Sequence, residues 1–143
     1  MDIVALTKET EMLRGSCLCG NVTYEIRGTP LVMYYCHCGT CQKATGTAFA
    51  TNILTRAEDF VLTSGRDRLS AFESSPNKHR HFCSSCGSPI YSQAESTKHV
   101  VSVRSGTLEG GLETRPSMHT YVASKAPWYD IKDDLPQMPQ GFA

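Results

Sequence analysis

Arg14-Gly15-Ser16-Cys17-Leu18-Cys19-Gly20 runs straight into Asn21-Val22-Thr23-Tyr24-Glu25-Ile26-Arg27. The second half alternates apolar Val22, Tyr24 and Ile26 with polar Asn21, Thr23 and Glu25, which is the period of a half-buried strand. The first half is a close cysteine pair followed by glycine. Two sulfurs from one tight turn can share a tetrahedral ion at about 2.3 Å. Backbone N–H groups of such a turn favour thiolate, and the glycine tolerates positive φ where the chain leaves. A strand fed by a cysteine turn predicts β-structure organised around metal.

The same reading extends outward. Two more clusters follow, Cys36-His37-Cys38-Gly39-Thr40-Cys41 and Cys83-Ser84-Ser85-Cys86-Gly87. Between and after them lie short β-prone runs. Leu31–Cys36 is continuous enough to be buried on both faces; Thr47–Leu54, Phe60–Thr63, Leu69–Glu73, Lys78–Cys83, Pro89–Ser92 and His99–Val103 complete the set. Gly28-Thr29-Pro30, Ser64-Gly65 and Ser74-Ser75-Pro76-Asn77 read as turns. Cys38–Ala44 suits one or two helical turns closed by Gly46. The expected fold is mainly β, with many short strands and little helix. From Pro116 the chain has little periodicity and reads as an ordered tail wrapping the surface. Residues 1–12 read as a loose leader, and 13–140 as a single domain.

The chain has 143 residues, the size of one domain, and can bury about 70% of its unfolded surface. Lys+Arg and Asp+Glu both number 14, so no basic excess points to nucleic acid, and no nucleic-acid partner is expected. No run approaches the roughly 20 apolar residues of a membrane helix, and Asp2, Lys8, Glu9 and Glu11 do not make a secretory leader. The expected location is the cytoplasm, where thiols stay reduced. Seven cysteines there need a role other than disulfides, and an odd number leaves one unpaired in any disulfide scheme.

Seven thiolates divide into four plus three. The central cluster supplies Cys36, Cys38 and Cys41 from six residues and can form a site by itself. Cys17 and Cys19 are then left to clamp one ion with Cys83 and Cys86. Four cysteines close a structural site; three leave a position open for chemistry. Other readings stand beside this one: buried unligated cysteines, a purely structural second site completed by His37, another histidine or water, iron–sulfur ligation, or a redox role for Cys38-x-x-Cys41. In an extended Cys-x-Cys the middle side chain points away from the metal, so His37 reads as a supporting residue. Lys43 reads as solvated, Arg80 and Arg104 carry no assigned role, and His79, His81, His99 and His119 read as strand or surface histidines. Trp128 reads as a plug for the core or for the edge of a groove.

Gly-Ser-Cys-Leu-Cys-Gly, then Cys-His-Cys-x-x-Cys-Gln-Lys-x-x-Gly, then Phe-Cys-x-x-Cys-Gly-Ser-Pro resembles the glutathione-dependent formaldehyde-activating (GFA) family, the S-(hydroxymethyl)glutathione synthase-like proteins. The tail Ser124-Lys125-Ala126-Pro127-Trp128, with Leu135-Pro136-Gln137, is similar to that family's C-terminal segment, so the likeness runs from about Gly15 to Pro139. The resemblance implies a mainly β fold of several small coiled antiparallel β-sheets organised around zinc, with little helix. It implies one structural ion on Cys17, Cys19, Cys83 and Cys86, and a second, labile catalytic ion on Cys36, Cys38 and Cys41. It implies a carbon–sulfur lyase that adds a small thiol such as glutathione to formaldehyde or another small aldehyde. The competing expectation is a non-catalytic zinc domain that mediates protein interaction. No departure from the family pattern appears among the seven cysteines.

Overall fold

In a computed structural model, residues 12–110 and 112–142 are described. The leader expected over residues 1–12 lies, apart from Met12, outside them. The described strands are β1 (Leu13–Ser16), β2 (Thr23–Ile26), β3 (Val32–Cys36), β4 (Ala50–Arg56), β5 (Phe60–Ser64), β6 (Leu69–Ser75), β7 (Lys78–Cys83), β8 (Pro89–Ala94), β9 (Val100–Arg104), β10 (Leu108–Glu109) and β11 (His119–Thr120). One α-helix, α1 (Gly39–Thr45), follows β3, and a few single 3-10 turns fill the connections. Among the described residues no helix is long and apolar enough to cross a membrane.

The strands gather into two sheets. The smaller has the order β10-β1-β2-β5, and the larger β11-β3-β4-β9-β8-β7-β6. Among the described strands every pairing is antiparallel except that of β11 with β3, which is parallel with His119 opposite Tyr35 and Thr120 opposite Cys36; Gln137 adds an isolated parallel bridge to His119. That exception is how the tail is held. Met138 N–H donates to His119 O and His119 N–H to Pro136 O, so the segment around Gln137 runs alongside β11 in the same direction.

The alternation of β2 is realised: Val22, Tyr24 and Ile26 are buried to 1% exposure or less. They pack with Cys17, Met33, Ile53, Cys83, Ile90 and Val103 in the principal core. Full burial of a Val or Ile side chain contributes about 1.5–3 kcal/mol, so this core joins the small sheet firmly to the inward face of the large one. Gly15 stands opposite Tyr24 across β1 and β2. A Cβ at Gly15 would lie 2.2 Å from the Tyr24 ring, so only glycine lets the ring cross the strand and reach Thr107, 2.6 Å from its hydroxyl.

The large sheet presents two unlike faces. Met33, Ile53 and Val103 point into the core. The opposite face carries Tyr34 and Cys36 of β3, Asn52 and Leu54 of β4, Ser102 and Arg104 of β9, Ser92 and Ala94 of β8, and Lys78 and Arg80 of β7. These are alternate residues on each strand, as a pleated sheet requires. This polar face forms the floor of a cavity of about 640 Å³. One sequence expectation is corrected here: Trp128 fills neither core nor groove but is 71% exposed.

Candidate metal centres

The first cysteine turn is built as its sequence predicts. Gly20 N–H donates to Cys17 O at 3.1 Å, and Val22 N–H points at Cys17 Sγ at 3.2 Å. The second turn repeats the design at the end of β7, where Gly87 N–H donates to Cys83 O at 2.7 Å. Gly20 (φ 83°) and Gly87 (φ 80°) both take the left-handed conformation that ordinary side chains resist. Leu18 N–H donates to Ser88 Oγ at 2.8 Å and ties one turn to the other.

The two turns bring four sulfurs together. Cys17, Cys19, Cys83 and Cys86 place every Sγ within 4.8 Å of the others. Cys17 and Cys19 are 3.6 Å apart and Cys19 and Cys83 3.8 Å apart, sulfur to sulfur. A tetrahedron of 2.3 Å zinc–sulfur bonds has edges of about 3.8 Å. A disulfide would need about 2.05 Å, and all seven cysteines are free thiols. The donor set and its spacing thus fit zinc. The local fields on the four thiols differ. Ser88, through both its hydroxyl and its backbone N–H, draws the Cys86 thiol down to about 5, whereas at Cys19 the Asn21 N–H favours ionisation but burial and the three neighbouring thiols outweigh it and push the thiol up to about 11. Burial opposes ionisation of Cys17, but the Val22 N–H and the Cys19 and Cys83 thiols outweigh it and lower its pKa.

The second group stands at the junction of β3 and α1. Cys36 ends the strand, Cys38 caps the helix, and Cys41 lies in its first turn. Cys38 takes an extended conformation and its sulfur accepts the Cys41 N–H at 3.2 Å, as an N-cap side chain does. Gly46 ends the helix in the left-handed conformation. All three sulfurs lie within 4.8 Å of one another, and among the described residues no fourth Cys, His, Asp or Glu ligand joins them. Hydrogen bonds from Cys36 and Cys41 hold the Cys38 thiol down at about 2, while Cys36 is pushed far up in return. All three cysteines line the 640 Å³ cavity, so the group opens onto it.

The predicted division into four and three sulfurs is therefore the one the fold makes. His37, between two of these cysteines in the chain, does not join their group. Its side chain is wholly buried, and its Nε2 lies 2.8 Å from His119 Nδ1. His119 Nε2 in turn lies 3.1 Å from both Asp133 oxygens. With the carboxylate accepting from His119 Nε2–H, His119 Nδ1 accepts from His37 Nε2–H, and His37 Nδ1 is left as a lone pair. That nitrogen is the buried ring atom with no partner. Burial and then His119 lower the His37 pKa to about 4, so its ring is neutral. Gln42 donates to His37 O and Ser124 O, at 2.8 and 2.9 Å, closing the loop from the other side.

Sequence reading missed Asp133 and the buried state of His119, because their partners lie 14 and 82 residues away. It also left Arg80 and Arg104 without a role. Arg80 Nη1 reaches Cys41 Sγ at 3.9 Å, and buried Arg104 donates to Asn52 Oδ1 at 2.5 Å. Lys43 is exposed on α1, as expected.

Residues 12–124 match the sequence model of the family described as glutathione-dependent formaldehyde-activating enzyme. A curated Halomonas elongata protein named "Putative glutathione-dependent formaldehyde-activating enzyme" is 28% identical over 130 residues, covering 85% of this chain and 82% of that protein. A Fusarium vanettenii protein of the same name is 29% identical over 118 residues, covering 82% of this chain and 57% of that longer protein. Among solved structures, a crystal structure of a Rhodobacter sphaeroides protein matches with a TM-score of 0.59 at 24% identity, over 70% of this chain and 91% of that one. That likeness is one of fold.

Proposed function

The chain belongs to the glutathione-dependent formaldehyde-activating enzyme family, and from that premise we propose that it is a zinc-dependent carbon–sulfur lyase that condenses a small thiol such as glutathione with formaldehyde or a similar small aldehyde. One observation carries the reading: a group of three thiols, with no fourth ligand among the described residues, opens onto a cavity of about 640 Å³. That volume is in the range of small-molecule sites. A closed second tetrahedron would instead favour an interaction module.

In this proposal Cys17, Cys19, Cys83 and Cys86 hold a structural zinc that joins the two cysteine turns. Cys36, Cys38 and Cys41 hold the catalytic zinc, and their cavity is where thiol and aldehyde meet. When bound there, zinc supplies Lewis acidity that favours thiolate in an incoming thiol or polarises an aldehyde oxygen. The net reaction forms a sulfur–carbon bond, opens the carbonyl π bond, and moves the thiol proton to the carbonyl oxygen.

The surrounding residues divide the remaining tasks. Arg80, beside Cys41, supplies positive charge where thiolate must be stabilised. Tyr34 stands on the cavity floor with its hydroxyl 3.0 Å from Ser102 Oγ, and burial raises its pKa, so it keeps its proton and offers a hydrogen bond to an oxygen in the cavity. His37, His119 and Asp133 hold the Cys36–Cys38 segment against the tail.

The test is adduct formation from glutathione and formaldehyde, compared with the unaided reaction, which also proceeds. Wild-type protein is expected to exceed the background and Cys38→Ser to return to it. Equal rates with wild type, with the variant and without protein would exclude the lyase reading.

A further inference from the structure

Seven large apolar side chains stand exposed among the described residues, and three of them, Leu31 (43%), Tyr121 (37%) and Phe142 (51%), line the cavity beside the three thiols. Apolar side chains exposed one by one are ordinary on a protein surface. Several gathered at one concave place mark a surface that a ligand covers.

The sheet supplies the base of this surface. On the cavity face of β3, Tyr34 is two residues from Cys36, so the two stand roughly 7 Å apart. Leu54 shares a face of β4 with Asn52, the cross-strand partner of Tyr34. Leu31 N–H donates to Leu54 O at 2.8 Å, which sets Leu31 beside it. Tyr34, Leu54 and Leu31 thus make an apolar strip that runs away from the thiols along the β3–β4 side. The other side, on β7 and β8, is polar, with Arg80, Ser92 and Gln93.

The tail supplies a wall over the strip. Phe142 meets Tyr34 edge-on, with ring centroids 4.8 Å apart. Tyr121 N–H donates to Gln140 O at 2.9 Å and Val122 N–H to Met138 O at 3.0 Å, which brings the chain to that place. Tyr121 is held there in the left-handed conformation (φ 58°), which a bulky residue resists. Strain of this kind gathers at ligand sites. Gly141 leaves room for the Tyr121 ring, since a Cβ on it would lie 3.0 Å from the Tyr121 hydroxyl.

A cavity of about 640 Å³ with one apolar side suits a ligand with an apolar part. Formaldehyde has only hydrogens on its carbonyl carbon, and glutathione is a charged peptide, so neither covers the strip. We propose that Leu31, Tyr34, Leu54 and Phe142 form an apolar subsite for a carbonyl substituent, so that the aldehyde this chain takes best carries an alkyl or aryl group. The Tyr34 hydroxyl offers its hydrogen bond to the carbonyl oxygen, and the substituent lies along the strip under Phe142. The thiol sulfur bonds the carbonyl carbon, the π bond opens, and the thiol proton goes to the oxygen. That the ligand is an aldehyde rests on the lyase reading; the apolar strip does not. Leu31 and Phe142 are specificity determinants, since they hold the part of the aldehyde that does not react.

Binding and turnover test the two ideas separately. Zinc-loaded protein is titrated with 1-propanol and with 1-hexanol, which carry the alkyl chain but no carbonyl, and followed by NMR. Each methylene fully removed from water strengthens binding about fourfold. With three more methylenes on a half-covered strip, 1-hexanol is expected to bind about tenfold or more tightly. It should also shift the Leu31 methyl and Phe142 ring signals. Propanal and hexanal are then compared as substrates with glutathione, each rate divided by that of its unaided reaction, and hexanal should gain more. Both preferences should fall about threefold or more in Phe142→Ser and in Leu31→Ser. Both positions are half-exposed, so these variants should keep the cooperative melt of wild type.

Equal affinity for the two alcohols, no binding of 1-hexanol, signals shifted only away from the cavity, or preferences unchanged in both variants would overturn the subsite. An active enzyme whose gain over the unaided reaction does not depend on chain length would overturn it too and leave the lyase reading standing. A hexanol preference through Leu31 and Phe142 in a protein that forms no adduct would uphold the subsite and sink the lyase reading alone.

Discussion

Cys19 and Cys83 are 64 residues apart in the chain, and their sulfurs are 3.8 Å apart in the fold. Nothing local brings them together: one follows the first strand of the small sheet, the other ends a strand of the large sheet. Four thiols that converge from opposite sheets make a clamp between them, and this fixes the order of importance of the two clusters for folding.

Cys83→Ser is expected to be the most damaging of the single cysteine changes. A structural zinc contributes about 10–16 kcal/mol in zinc-finger peptides, which equals or exceeds the whole stability of an ordinary domain, about 5–15 kcal/mol. The circular dichroism of Cys83→Ser should lack a cooperative thermal transition, and a strong chelator should bring wild type to the same state. A wild-type melting curve that chelator leaves unmoved would remove the clamp from the account.

Cys38→Ser should behave in the opposite way. Its cluster joins neighbouring elements, β3 and α1, and opens onto the cavity. The variant is expected to keep a cooperative melt and one zinc per chain while losing the second zinc. Metal analysis alongside the melt would show this; two zinc ions retained by Cys38→Ser would contradict the assignment.

Gly15→Ala tests the junction of the small sheet. The added Cβ would meet Tyr24 Cζ at 2.2 Å, so the ring must move off the strand and away from Thr107. Overpacking of this kind costs about 1–3 kcal/mol. Urea unfolding should show that loss with an unchanged slope, and a loss near zero would mean the ring repacks freely.

Asp133→Asn should loosen the tail. The Leu135 N–H, and after it His119, hold the Asp133 carboxyl below its usual range. A lowered folded pKa means that the carboxylate stabilises the fold fully above the unfolded value, about 3.9, and loses that effect as pH falls through the lower folded value. The variant should therefore melt below wild type at pH 7, with the difference closing in acid below that value. Amide exchange at Tyr121 and Met138, which bond across the tail, should quicken at pH 7. Identical melting and exchange at pH 7 would contradict the role given to Asp133.

The parts legible in the sequence were those with short-range signatures. Val22, Tyr24 and Ile26 announced a buried strand face by period alone, and Cys38 and Gly46 marked both ends of α1. The cysteine turns announced themselves by spacing and by the glycine after each. What stayed hidden depends on distant partners. β10 and β11 are two residues each, too short to show a period, and exist because β1 and β3 offer them an edge. The chain His37–His119–Asp133 needs the parallel pairing of β11 before it makes sense. Arg104 and Arg80 became meaningful only through the strands that carry them to Asn52 and Cys41. Trp128 misled because a lone tryptophan suggests burial, whereas here it stands on an exposed turn of the tail.

The account rests most directly on where metal binds, and anomalous diffraction across the zinc absorption edge measures that. Crystals of gently purified protein should show two zinc peaks per chain, one enclosed by Cys17, Cys19, Cys83 and Cys86, the other bound by Cys36, Cys38 and Cys41 and facing the cavity. A single peak, a protein side chain closing the second site, or disulfide density between any of these sulfurs would contradict it.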